Sequence, residues 1–195
     1  MYQEQKFNIG ELAGISKKNI EEHLKLYSGY VKHTNLILEK IKELEGSEKD
    51  AYALSEMQRR FSFEWNGMRN HEYYFKSLEG GSTTPTTDGP LYKAIEGEWG
   101  SFDKWLSRLK MIAMTRGIGW AILYYDREAK KLINAWVDEQ HLGQLNSATF
   151  ILGIDMWEHA YVYDYPTSEK KKYVEAYFTN LNWQVIESNF KKATS

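Results

Sequence analysis

Apolar side chains recur at spacings of three and four from Ile20 onward, through Leu24, Tyr27, Tyr30, Val31 and Leu38, with His23 and Thr34 on the same face. A helix turns every 3.6 residues or so, and this pattern predicts an amphipathic helix with one face toward a core. Ser16 is a fitting N-cap, and the helix is expected to reach about Glu45. A second helix is expected from about Ala51 to Leu78; the polar turn GSEKD between the two predicts an antiparallel hairpin. Gly80–Pro90, rich in Gly, Pro and hydroxyl side chains, breaks every period and reads as a linker. Beyond it, Leu91–Ile95 and Ser101–Arg116 read as helices. Ile118–Tyr125 and Lys131–Val137 are rich in β-branched and aromatic residues and flank the turn DREAK, which predicts a strand hairpin. Ala148–Met156 reads as a third strand, followed by helices near Glu169–Thr179 and Trp183–Lys192. The expectation is a helical N-terminal domain over residues 1–84 and an α/β C-terminal domain over residues 85–195, an α+β chain.

Composition narrows the chemistry. A net charge of −2 suggests no bulk affinity for nucleic acid or anionic lipid. No apolar run approaches the ~20 residues that span a bilayer. The N-terminal MYQEQKFNIGELAGIS lacks a basic segment followed by an apolar one, so no secretory signal is expected and a cytoplasmic location is the default. With no cysteine, a bound metal must be held by His, Asp or Glu, which suits Mn, Fe or Zn. Aromatic residues make up 15% of the chain, more than a core alone requires, and a large subunit interface is the simplest use for them.

The densest stretch is DMWEHAYVYDY, residues 155–165, which follows the apolar run FILGI and sets Asp155 and His159 four apart. Of the other histidines, His23 lies on the apolar face of the first helix, His71 sits among aromatics in the second, His141 closes the second strand of the hairpin, and His33 reads as a surface residue. Any one buried histidine is ordinarily a core residue bonded to a carbonyl. Together, His23, His71, Asp155 and His159 could form a three-imidazole, one-carboxylate metal site, with one residue from each helix of the hairpin and two from a strand end.

DMWEHAYVYDY resembles the signature D-x-W-E-H-A-Y of the iron/manganese superoxide dismutases. NHEYYFKSL, GSFDKW, RGIGWAIL, ILGIDMWEHAY and YFTNLNWQVIESNF agree with that family in order and spacing over nearly the whole chain. The resemblance implies a helical hairpin followed by an α/β domain with a three-stranded antiparallel sheet. It also implies one iron or manganese ion per subunit on His23, His71, Asp155 and His159, with solvent as fifth ligand. The activity implied is disproportionation of superoxide to hydrogen peroxide and dioxygen. A contrasting reading keeps the fold as a non-catalytic structural or interaction subunit, which would be expected to lose ligands.

By the same resemblance, Tyr30 is the gate tyrosine. It stands seven residues after His23 where most members have eight, so the first helix should be unbroken, with no π-bulge. The solvent's hydrogen-bond partner is expected to be His141, with adjacent Gln140 pointing the other way; the rival reading takes Gln140. The iron-type position for a glutamine in the second helix is Gly67. Trp157, Trp120 and Trp65 are candidates for an apolar wall, with ordinary core packing an equal reading for Trp65. Tyr27 and Val162 replace a pair that in the family bonds across the dimer. Glu158 is retained, and an isologous homodimer is expected in which each Glu158 reaches the partner's ligand histidine, with a tetramer left open.

Overall fold

A computed structural model describes residues 1–195. Helix α1 spans Lys17–Leu44 without a break, and the Ser16 side chain accepts from the Asn19 N–H at 3.1 Å, a cap contributing ~1 kcal/mol. Gly46, at φ 80°, turns the chain in the left-handed region that glycine enters at no steric cost. A short 3₁₀ turn at Glu48–Asp50 leads into α2, Ala51–Lys76.

The two helices pack as the predicted antiparallel hairpin, and their inner faces differ along the length. Ile20, His23, Tyr27, Val31 and Thr34 are buried, whereas Leu38, expected on the same stripe, is 39% exposed. In α2, burial begins at Phe63. The far end of the hairpin projects past the core, where the helices have little but each other to pack against. Ion pairs there, such as Arg59–Glu56, are exposed and screened by solvent, so they add little. The apolar seam nearer the core carries the packing.

After the linker, Pro90 begins α3 (Pro90–Trp99), longer than expected, and α4 covers Phe102–Ala113 behind a Ser101 cap. Strands β1 (Gly119–Asp126), β2 (Lys131–Asp138) and β3 (Ala148–Asp155) form one antiparallel sheet in the order β2-β1-β3, and α5 (Lys170–Thr179) and α6 (Trp183–Thr194) complete the chain. The fold is thus an N-terminal helical hairpin followed by an α/β domain with a three-stranded antiparallel sheet. One apolar cluster runs from Ile20 and Met68 in the hairpin to Trp120 and Ile154 in the sheet. No helix is long and apolar enough to cross a membrane.

Candidate metal centre

The register of the sheet sets Trp120 of β1 opposite Asp155 at the end of β3. The chain then makes a tight 3₁₀ turn, Glu158–Ala160, that folds His159 back toward Asp155. Helical phase brings in the other two rings: His23 from the buried stripe of α1 and His71 from the buried second half of α2. Asp155 Oδ2 lies 3.1 Å from His23 Nε2, 3.3 Å from His71 Nε2 and 3.1 Å from His159 Nε2. One donor atom from each of the four residues lies within 4.8 Å of the others.

These distances have the size of hydrogen bonds, but the protons do not allow three of them. The Nδ1 of His71 is 2.6 Å from the Gly67 carbonyl, which can only accept, so His71 carries its proton there. Its Nε2 is therefore a lone pair, buried, without a donor, and facing a carboxylate oxygen. Two acceptors held face to face in a dry interior repel unless a cation lies between them. Donors about 2.0–2.1 Å from a first-row ion such as zinc, set at right angles, would lie about 3 Å apart, close to the spacing found.

Charge gives the same answer. Burial, with the neighbouring His23 ring adding to it, pushes the His71 imidazole down to about 3, and burial likewise lowers that of His23, so both are neutral at physiological pH. Burial works against ionisation of Asp155, yet the imidazoles of His159 and His23 outweigh it and hold the carboxyl well below its usual range. The Trp157 N–H also donates to Asp155 Oδ1 at 2.9 Å. A buried carboxylate oxygen facing the His71 lone pair calls for a cation, and the donor set fits a divalent or trivalent metal.

Residues 87–189 match the family described as iron/manganese superoxide dismutases, C-terminal domain. The chain belongs to the iron/manganese superoxide dismutase family. It is 34% identical over 187 residues to the superoxide dismutase [Fe] of Cupriavidus metallidurans, covering 94% of this chain and 92% of that protein. It is 33% identical over 192 residues to the mitochondrial superoxide dismutase [Mn] of Glossina morsitans morsitans, covering 96% and 87%. The superoxide dismutase [Fe] of Aquifex pyrophilus is 32% identical over 188 residues, covering 93% and 87%. Relatives named for iron and for manganese are thus equally similar, and identity does not separate the two metals.

Around the four donors, the expected wall is partly present. The Trp120 ring meets His71 edge-on at 5.1 Å between centroids, and Trp157 stacks on His159 at 5.6 Å. Trp65 instead gives its indole N–H to the Tyr2 hydroxyl, against the N-terminal segment. Tyr30 lies over His71 with centroids 5.0 Å apart, on an unbroken α1. Its environment of burial first, then the charge of Asp155, raises its phenol and keeps it protonated. Tyr27 is fully buried within its own chain, its hydroxyl accepting from the Gln5 N–H at 2.9 Å and reaching Glu72 at 3.3 Å. His33 is on the surface, as expected, with its side chain 54% exposed.

One expectation is reversed. Gln140, not His141, points inward. Its amide is fully buried, accepting from Trp120 Nε1 at 2.9 Å and donating to the Tyr30 hydroxyl at 3.0 Å. The His141 ring lies against Phe63, 5.6 Å between centroids, and its Nδ1 has no partner. The expectation rested on a strand running through these residues, but β2 ends at Asp138. Glu139 takes φ 51°, and Asp138 and Leu142 exchange backbone hydrogen bonds around a tight turn, so strand alternation does not apply.

Three contributors were not anticipated. Asn70 donates to the Gln140 carbonyl at 3.1 Å, Gln144 donates to Asn70 Oδ1 at 3.2 Å, and Tyr124 donates to Gln144. Asn70 stands immediately before His71 in NHEYYFKSL, a usable signal; nothing in the local pattern marks the other two.

Proposed function

We propose that this enzyme is a superoxide dismutase, converting superoxide to hydrogen peroxide and dioxygen at one iron or manganese ion per subunit. The observation that carries this reading is the facing of the His71 Nε2 lone pair and Asp155 Oδ2 at 3.3 Å, with two more imidazole nitrogens alongside. His23 and His71 from residues 1–84, and Asp155 and His159 from residues 85–195, would hold the ion between the two domains. When bound, iron or manganese supplies one-electron redox between its trivalent and divalent states.

The chain's own groups handle protons and access. Peroxide needs two protons, and the Tyr30 hydroxyl accepts from Gln140 while its own proton has no partner in the chain. Gln140 Nε2 carries a second N–H beyond the one given to Tyr30, which could donate to the anionic substrate. Trp120 fixes the other end of that amide, which keeps the donor aimed, and Trp157 shields His159. An inward amide from the strand hairpin, with Gly67 on α2, is the manganese-type pattern, and we read manganese as the native metal. Glu158, Val162 and Tyr163 are exposed beside His159, and we read this patch as the homodimer contact, with Glu158 reaching the partner's ligand histidine.

Metal analysis of native protein, with dismutation assayed after reconstitution with each metal, tests the reading. Manganese with turnover is the expected result; iron in fully active native protein would overturn the metal assignment. His71→Ala should lose metal and turnover together, and a variant retaining both would remove the ligand assignment.

A further inference from the structure

The Gln140 carbonyl faces the protein and takes no backbone donor. It accepts instead from two side chains, Asn70 Nδ2 at 3.1 Å and Gln144 Nε2 at 3.3 Å. Gln144 Nε2 is also 3.2 Å from Asn70 Oδ1, and the two amides close a ring on that carbonyl. The remaining atom of the Gln144 amide, Oε1, accepts from the Tyr124 hydroxyl on β1. Every hydrogen-bonding position that matters on this half-buried side chain is therefore used within the protein.

The backbone is shaped for this. Leu142 is 52% exposed at the outside of the turn, and Gly143 takes φ 91°, a left-handed conformation that brings Gln144 back against the protein. Asn70 is the residue before His71, so the ring ties the turn bearing Gln140 to the helix bearing a metal ligand. Few other bonds hold the turn: the Asp138–Leu142 pair, Glu139 N–H to the Ile118 carbonyl, Gln144 N–H to the His141 carbonyl at 3.4 Å, and the Trp157 indole N–H on the Glu139 carbonyl at 3.1 Å.

We propose that Gln144 is a positioning residue for the Gln140 amide, acting from outside the metal centre through Asn70 and the Gln140 carbonyl. This rests on the reading of Gln140 given above. Without the Gln144 amide, the carbonyl keeps one of its two donors, Asn70 loses the partner that orients it, and the turn can rotate. The side-chain amide of Gln140 then leaves the Tyr30 hydroxyl. A misplaced donor costs turnover even when every metal ligand is intact.

The test uses metal-loaded protein carrying Gln144→Ala, Tyr124→Phe, Gln140→Ala, and the Gln140→Ala/Gln144→Ala pair. Turnover per bound metal, the reduction potential of the metal, and a crystal structure of Gln144→Ala are the readouts. Gln144→Ala should keep its metal, lose about 10-fold in turnover, the low end for a group outside the ligand set, and shift the potential in the same direction as Gln140→Ala. In its structure, Gln140 Nε2 should lie beyond roughly 3.5 Å from the Tyr30 hydroxyl. Tyr124→Phe should give a smaller loss of the same kind. The pair should be no slower than Gln140→Ala alone, because Gln144 acts only through that side chain. Losses that multiply in the pair, or a Gln144→Ala enzyme with the parent's turnover and potential, would overturn the proposal alone. A Gln140→Ala enzyme with the parent's turnover and potential would overturn the reading of Gln140 and this proposal with it.

Discussion

The ring of Tyr30 is seated on the bare backbone of Gly67. A Cβ added at Gly67 would lie 2.5 Å from Tyr30 Cδ1 and 2.7 Å from Cε1, closer than any carbon contact tolerates. The carbonyl of Gly67 also fixes the proton of His71. One glycine on α2 therefore sets the place of the Tyr30 phenol and the tautomer of His71. It also leaves no room for a side chain from α2 there, and the amide that reaches the Tyr30 hydroxyl is that of Gln140.

Gly67→Ala should therefore displace the Tyr30 ring and part its hydroxyl from Gln140. Overpacking of this kind costs ~1–3 kcal/mol, too little to unfold a domain of ordinary stability. Metal content should stay near that of the parent while turnover drops. A crystal structure with Tyr30 unmoved, or turnover matching the parent, would contradict the contact's importance.

Gln140→Ala should lower turnover by about 10–100-fold with the metal retained, since no ligand is lost. It also strands the Trp120 indole N–H, a buried donor whose only partner is Gln140 Oε1. His141→Ala should be nearly silent by comparison, because that ring touches Phe63 and no donor of the site. Assays of the two variants at equal metal loading decide the order; the opposite order would restore His141 to the role.

Glu158 is exposed in the single chain, on the turn that carries His159. Glu158→Ala should weaken dimerisation and lower turnover together, because a charge-assisted bond to a ligand imidazole would be lost from both subunits. Equilibrium sedimentation would show a concentration-dependent monomer. An undisturbed dimer with unchanged turnover would count against this contact.

The protein should lose stability in strong alkali. Burial raises the phenols of Tyr27, Tyr124, Tyr173 and Tyr177, that of Tyr27 to about 12. A tyrosine in the unfolded chain ionises near pH 10, at about its ordinary value. The folded state thus favours the protonated form, and its advantage is complete below pH ~10 and lost as pH climbs toward 12. Denaturant midpoints should be level through neutral pH and fall steeply from about pH 10 upward. Tyr27→Phe should fall less steeply, and a parent midpoint that holds level to pH 12 would refute the linkage.

The elements, and the grouping of His23, His71, Asp155 and His159, were legible in the chain itself. Periodicity put His23 and Tyr30 on one face of an unbroken α1, and the spacing of seven forecast that regularity because two turns of 3.6 residues return to the same side. The sheet followed from β-branched and aromatic runs, and the motif around Asp155 and His159 named the rest. Such patterns work where the backbone is regular, since direction then repeats with a known period. Only the tertiary structure decided what happens after β2. There the orientations of Gln140 and His141 depend on the left-handed Glu139 and on a side chain 70 residues away in sequence, that of Asn70. The same holds for Tyr27, whose hydroxyl is held by the N-terminal segment and by Glu72 rather than left for a partner. Period fixes which way a helix or strand residue faces; in a turn, that direction is set by contacts that local order in the sequence does not record.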